Sequence, residues 1–277
     1  NICDIHDTSE GKIVPGIVVT SIQTLQRRIK NNDPIAMLIL NKSNLFIVDE
    51  AHRNLGWIEK MHNQLMMNQN QAVLVGLSAT PFRRVDAESG RLATIFSWNA
   101  ITPFEGGAES PEMVIETLVE MGVLANRQNK SIRELGIQSQ GIGDDGQLKI
   151  CIEIVKQLIE NNHQSIIVFT PNVEWANLAA SILSLQCDDV IAESLSSETP
   201  PLIRRKIIHS FREKECRVLF NCEILTTGFD APKTDAVIIS RPAMKPHDPL
   251  FLQMVGRGLR GPEFGGTKNC TVVHHKW

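Results

Sequence analysis

A chain of 277 residues with 42% hydrophobic and 21% charged residues has material for one large or two ordinary domains, and its composition is that of a soluble globular protein rather than a disordered one. No apolar run reaches the length of a membrane span, and the first residues lack the pattern of a signal peptide. With 28 Lys and Arg against 31 Asp and Glu, the net charge of -3 excludes a generally cationic coat, so any nucleic acid would be held by local basic groups and backbone amides.

The six cysteines (Cys3, Cys151, Cys187, Cys216, Cys222 and Cys270) contain no Cys-x-x-Cys pair. Neither a disulfide framework nor a zinc site is indicated, and a reducing cytoplasm is the expected location.

Residues Asn1 to Pro15 are polar and irregular. Their Gly11-Lys12 is followed by Ile13 and lacks the earlier glycine of G-x-x-x-x-G-K-[ST], the loop whose amides and lysine cradle phosphates, and no such loop occurs elsewhere in the sequence. Gly16 to Val19 reads as a short strand. Thr20 and Ser21 then precede an amphipathic helix with Ile22, Leu25 and Ile29 on one face. The two hydroxyls suit an ordinary helix cap, and they equally suit a nucleic-acid phosphate at the helix N-terminus.

Leu45-Phe46-Ile47-Val48 is an apolar run that ends in Asp49-Glu50-Ala51-His52. Four large apolar residues in succession predict a strand buried on both faces of a parallel sheet, and ligands of such sheets sit beyond the carboxyl ends of the strands. An acid there can hold the Mg²⁺ of a nucleoside triphosphate, and a neighbouring acid can orient or deprotonate a water. A surface turn in which Asp49 caps a helix is the competing reading. After a polar helix around Trp57 to Asn68, Ala72 to Leu77 predicts another buried strand, ending in Ser78-Ala79-Thr80-Pro81. Two successive strands with such endings suggest one shared crevice.

From Phe82 to Asp145 the pattern is less regular, with Arg83-Arg84, a Gly106-Gly107 break and a helix from Pro111 to Met121 stopped by Gly122. Gly136 to Gly146 reads as a linker. Beyond it come a helix (Leu148 to Glu160), a strand (Ser165 to Phe169), a helix (Val173 to Leu185), a short strand (Val190 to Ala192) and a basic helix (Pro201 to Arg212). Strands Arg217 to Phe220 and Ala236 to Ile239, a helix from Pro249 and a last strand, Cys270 to Val273, complete the series. This alternation predicts a parallel sheet covered on both sides. The chain thus holds two α/β units, the first incomplete at its start. His274 and His275 are adjacent on a strand and point to opposite faces, which is poor geometry for a shared metal.

Asp248 and Pro249 make a good N-cap and first residue for a helix running to Arg260. Gln253, Arg257 and Arg260 then fall at i, i+4 and i+7 on one face. Gly256 and Gly258 each cost about 1 kcal/mol in a helix interior, a local conflict expected where another backbone or a phosphate comes close. Paired arginines can neutralise charge developing on a triphosphate, whereas a solvated basic helix end is the plainer alternative.

Asp49-Glu50-Ala51-His52, Ser78-Ala79-Thr80, Thr226-Thr227-Gly228-Phe229-Asp230 and Gln253-x-x-Gly256-Arg257-x-x-Arg260 resemble motifs II, III, V and VI of superfamily 2 helicases, in order. The resemblance is greatest to the DEAH-type branch of repair helicases and restriction-enzyme motor subunits. Thr20-Ser21 matches motif Ib, and Phe169-Thr170 lies where motif IV is expected.

The resemblance implies two RecA-like parallel-sheet domains in tandem, residues 1–100 (incomplete at the N-terminus) and 147–277, separated by an insertion at 101–146. It implies an ATP-dependent helicase or translocase that hydrolyses ATP between the two domains, with ATP and Mg²⁺ as cofactors. Asp49 would hold Mg²⁺ through water and Glu50 would activate the hydrolytic water. His52, Ser78, Ala79 and Thr80 would couple nucleotide state to movement, and Arg257 and Arg260 would act as arginine fingers with Gln253 at the phosphate or the acidic motif. Gly228 and Asp230 would lie at the nucleotide. Thr20, Ser21, Thr170 and Thr226 would contact the nucleic-acid backbone, with Gly228 close by. The implied partners are nucleic acid, DNA before RNA, and other subunits of a defence or repair complex, with no membrane. The family's phosphate-binding motif I should precede Gly16, so the sequence is expected to be part of a longer protein. A non-catalytic binding module that has lost the loop is the rival reading.

Overall fold

The computed structural model describes residues 2–4, 17–51, 55–67, 72–77, 86–97, 99, 111–138, 143–222, 224–226, 229–242, 244–245 and 248–275. They fall into two compact units, Asn1–Pro103 and Phe104–Trp277.

In the first unit β1 (Ile2–Asp4) pairs in parallel with β2 (Ile17–Val19). Helices α1 (Ile22–Lys30) and α2 (Pro34–Lys42) follow, then β3 (Leu45–Val48), α3 (Leu55–Met67), β4 (Val73–Gly76) and α4 (Asp86–Ile95). Ser21 caps α1 by accepting the Thr24 N–H at 3.1 Å. Helix α2 was not expected. Its start is encoded by Asp33, whose carboxylate accepts the N–H groups of Ile35 and Ala36 at 3.0 and 3.1 Å, and by Pro34 in the first turn.

Strands β3 and β4 pair in parallel, Leu45 opposite Val73 through Val48 opposite Gly76. The expectation of burial on both faces is corrected here. Phe46 and Val48 pack with Leu40, Leu55, Ile58 and Leu65, whereas Leu45 and Ile47 are 52% and 60% exposed. In β4, Val73 is 57% exposed, and Leu74 packs with the same cluster. Alternate side chains of a strand leave opposite faces, and the described helices cover only one face of this pair.

The second unit contains α5 (Pro111–Glu120), β5 (Asn126–Lys130), α6 (Gly143–Glu160), β6 (Ile166–Phe169), α7 (Val173–Gln186), β7 (Ala192–Leu195), α8 (Pro201–Arg212), β8 (Val218–Asn221), β9 (Ala236–Ser240), α9 (Pro249–Gly256) and β10 (Asn269–His275). Its sheet has six parallel strands in the order β5-β10-β9-β6-β8-β7. Every residue of β6, β8 and β9 is buried. One face packs on α6 and α7 through Ile166, Val168, Phe220 and Ile238, and the other on α8 and α9 through Ile167, Phe169, Leu219 and Ile239. Continuous apolar strands covered on both sides are what the sequence predicts for this unit.

Some elements differ from expectation, and α6 already starts at Gly143, within the stretch read as a linker. β5 is Asn-Arg-Gln-Asn-Lys, an exposed edge strand paired only with β10, and such a polar sequence carries no strand signal of its own. β7 starts at Ala192 because pairing with β8 fixes its register, Ala192 opposite Val218 and Leu195 opposite Asn221.

Candidate active site

In the first unit the chain leaves β3 through Asp49 and Glu50. The Leu77 N–H donates to the Val48 carbonyl at 2.9 Å, and the Ala51 N–H donates to the Leu77 carbonyl at 3.0 Å, so the turn is tied to the end of β4. Within it the Glu50 N–H donates to Asp49 Oδ1 at 2.9 Å. Glu50 adopts φ 49°, a left-handed conformation that costs a non-glycine residue about 1 to 3 kcal/mol and persists only where its surroundings enforce it. The enforcement is visible in Gly76. A Cβ there would stand 2.5 Å from Phe96 Cζ and 3.0 Å from Ala51 Cβ, so only glycine lets β4 approach this turn. The result is an exposed Asp49 and a half-buried Glu50 at the carboxyl end of a strand. His52, Ser78, Ala79 and Thr80 lie outside the described residues.

In the second unit the expected helix through Arg260 is corrected. Asp248 does cap α9, accepting the Leu250 N–H at 3.0 Å, but the helix ends at Gly256 and Arg257 is its C-cap. The physical reason is Gly258. A Cβ at that position would overlap Cys270 Sγ and stand 2.7 Å from Val237 Cγ2, so the backbone is pressed onto the sheet and leaves the helical path. Arg260 then forms an antiparallel bridge with Leu124. Gly256 has nothing within 4 Å of a would-be Cβ. The single helix face of Gln253, Arg257 and Arg260 therefore does not exist.

The two arginines nonetheless converge. With Asp230 they line a pocket of 320 Å³ whose apolar lining includes Phe229, Leu124 and Phe264. Arg260 Nη2 lies 3.1 Å from Asp230 Oδ1, both side chains about half exposed. Arg257 Nη1 donates to the Phe229 carbonyl, and Arg212 Nε from α8 donates to the Asp230 carbonyl at 2.7 Å. Arg212 and Leu124 had no sequence signal, because they reach the site from elements far away in the chain. Gln253 is half-buried on α9.

The candidate nucleic-acid contacts are dispersed. Thr20 and Ser21 lie at the start of α1, where Ser21 serves as a cap. Thr226 ends a 3₁₀ turn after β8, and Gly228 is outside the described residues. Thr170 is a correction. It is fully buried, and its hydroxyl is within donating distance of the Asn172 and Asn221 carbonyls at 3.0 and 3.1 Å, so its side chain braces the ends of β6 and β8 and does not face a strand of nucleic acid.

Burial also shifts ionisable groups in the core of the second unit. Burial pushes the thiols of Cys151, Cys216 and Cys270 up to about 12. Burial, with a contribution from His274, lowers His275 to about 4, and its ring shares a hydrogen bond with Ser240 at 3.1 Å.

Two protein families match the chain: "Type III restriction enzyme, res subunit" over residues 6–83 and "Helicase conserved C-terminal domain" over residues 148–261. The chain is a superfamily 2 helicase-like protein. It is 27% identical over 286 residues to the Saccharomyces cerevisiae protein named "Putative ATP-dependent helicase IRC3", and the match covers 93% of this chain and 36% of that relative. Among solved structures, a fragment of "a putative HsdR subunit of a type I restriction enzyme from Vibrio vulnificus YJ016" superposes with TM-score 0.65 at 19% identity, covering 99% of this chain and 50% of the other. Dbp5 of S. cerevisiae, bound to RNA and ADP BeF3, gives 0.61 at 18%, covering 99% and 62%. The α/β fold with parallel sheets is that of tandem RecA-like helicase domains.

Asp49 is an exposed carboxylate at the end of β3. Among the described residues no group of three or more His, Cys, Asp or Glu could hold a metal by itself. A hard carboxylate such as Asp49 suits Mg²⁺, which usually takes one or two protein carboxylates and completes its shell with water and phosphate oxygens.

Proposed function

We propose that this chain is the motor part of an ATP-driven nucleic-acid helicase or translocase. The observation that carries the reading is the convergence of Arg257 and Arg260 on one pocket beside Asp230, although they share no helix face. In this reading the chain's own acids and arginines supply the hydrolytic chemistry. Asp49 holds Mg²⁺ through water, and Glu50 takes the proton of the attacking water. Arg257 and Arg260 neutralise charge on the phosphoryl group as it transfers, Gln253 assists at the phosphate, and Gly228 and Asp230 lie at the nucleotide. Mg²⁺, held by Asp49 when a nucleotide is bound, would supply neutralisation of phosphate charge. His52, Ser78, Ala79 and Thr80 couple this state to movement.

Thr20, Ser21 and Thr226 are the proposed backbone contacts, which grip without reading sequence. DNA is the preferred substrate in this reading, supported by the restriction-enzyme name of the matching family, and the wider setting is a repair or defence assembly. Cys151, Cys187, Cys216, Cys222 and Cys270 are free, which suits a reducing compartment such as the cytoplasm.

The test is Glu50→Gln in the intact protein. ATP binding should persist while turnover falls to background in the presence of single-stranded DNA. Hydrolysis near the wild-type rate would defeat the assignment.

A further inference from the structure

Arg260 is far better anchored by its backbone than by its side chain. On one side the segment Gly122 to Ala125, which links α5 to β5, runs antiparallel to it. The Gly261 N–H donates to the Val123 carbonyl at 3.0 Å, the Ala125 N–H to the Leu259 carbonyl at 3.0 Å, and the Glu263 N–H to the Gly122 carbonyl at 3.1 Å. On the other side the Thr267 N–H donates to the Arg260 carbonyl at 3.0 Å, and the Gly266 N–H to the Gly261 carbonyl at 2.9 Å. Three glycines make this grip possible. A Cβ on Gly261 would overlap the Gly122 carbonyl oxygen and stand 2.6 Å from its carbon, and one on Gly266 would overlap the Arg260 carbonyl. Gly122 takes φ 71° to leave α5 and enter the bridge.

The side chain is differently placed. Its one described ionic partner is Asp230 at 3.1 Å, in a pair that is about half exposed. Such pairs are worth only about 0 to 1 kcal/mol, too little to fix a long side chain by themselves. What sets the origin of the Arg260 side chain is therefore the double backbone clamp, and Val123 and Leu124 of that clamp also line the pocket wall.

We infer that the Gly122–Ala125 segment and Gly261 form a clasp that positions Arg260 for phosphoryl transfer, so that Gly261 and Gly122 are positioning residues. The inference rests on the motor reading above. Displacing the anchor of a group that must meet a transferring phosphoryl costs rate rather than binding, because ground-state affinity for ATP has many other contributors.

A double-variant cycle in the intact protein tests it, with ATP hydrolysis measured in the presence of a single-stranded DNA oligonucleotide. Gly261→Ala should lower kcat by on the order of 10- to 100-fold while KM for ATP and DNA affinity stay within about twofold. Introduced into Arg260→Ala, it should add no further loss, since the group it positions is already gone. Gly122→Ala, whose Cβ would meet Glu263 Cγ at 3.2 Å and would strain the left-handed φ of 71°, should give the same pattern and, having no backbone overlap to relieve, covers the case in which Gly261→Ala does not fold. Losses that multiply in the Arg260→Ala background, or KM and DNA affinity that move with kcat, would overturn the clasp and leave a general structural role. If Arg260→Ala by itself left hydrolysis intact, the motor reading would fall first and the clasp with it.

Discussion

The acidic turn after β3 and the arginine loop after α9 place their charged groups by opposite means. Asp49 and Glu50 are set by a strand end, one left-handed residue and the neighbouring strand. Arg257 and Arg260 are set by groups scattered along the second unit: Gly122 to Ala125 before the sheet, Arg212 on α8, Phe229 and Asp230 after β8, and Cys270 on β10. A locally built site can be altered chiefly at its own residues. One assembled from distant segments is exposed to substitutions throughout its unit.

The largest effect expected from this contrast is at Gly258. Gly258→Val should destabilise the second unit by about 3 kcal/mol, the upper end for overpacking a filled core, whereas Gly256→Ala in the same motif should stay within about 0.5 kcal/mol. Urea denaturation of the two variants side by side would show whether packing on Cys270 and Val237 or the arginine motif as a whole makes glycine necessary; equal losses would break the distinction.

Next comes Gly76, the counterpart in the first unit. Gly76→Ala should cost about 2 kcal/mol, and combining it with Phe96→Ala should cost less than the sum of the two single variants, because removing the ring vacates the space the methyl needs. Strict additivity in thermal unfolding would mean that Gly76 acts by some other route.

A pH series isolates the sheet core from both sites. His275 is about 4 in the folded state against 6.5 for an ordinary histidine, so the folded state resists the proton that the unfolded chain accepts. Its contribution is complete above pH 6.5 and is lost progressively as pH falls toward 4. Denaturation midpoints of wild type and His275→Gln should therefore differ in slope across that window and run parallel above it. A parallel course throughout would place the acid sensitivity elsewhere.

The smallest change is expected from Asp230→Asn, which removes a half-exposed ion pair and should alter stability by under about 0.5 kcal/mol. Its interest is the contrast with Gly258: a drop above about 1.5 kcal/mol would show that the Arg260–Asp230 pair supports the loop and is not merely carried by it.

Much of this organisation could be read without coordinates, and the reasons differ from element to element. The apolar runs at 166–169, 218–221 and 236–240 announce a sheet buried on both faces because each residue type agrees with the environment it meets. The same kind of run misled at Leu45 to Val48, where hydrophobicity is continuous but cover is not. Pro201 to Arg212 has matching helix ends in sequence and structure because its limits are set locally, by a proline at the start and a loss of pattern at the end.

Asp49 and Glu50 were legible as a site because strand, turn and acids are contiguous, and Ser21 as a cap because capping spans only three residues. The stop of α9 at Gly256, the polar edge strand Asn126–Lys130 and the burial of Thr170 were not. Each depends on a partner far away in the chain: Cys270 and Val237 for Gly258, β10 for the edge strand, and Asn221 for Thr170. Local propensity and periodicity determined which residues carry charge and where strands and helices begin. Only the tertiary structure decided which backbones come within hydrogen-bonding distance, and with that where Arg260 is held, because long-range packing distances are not written in any window of neighbouring residues.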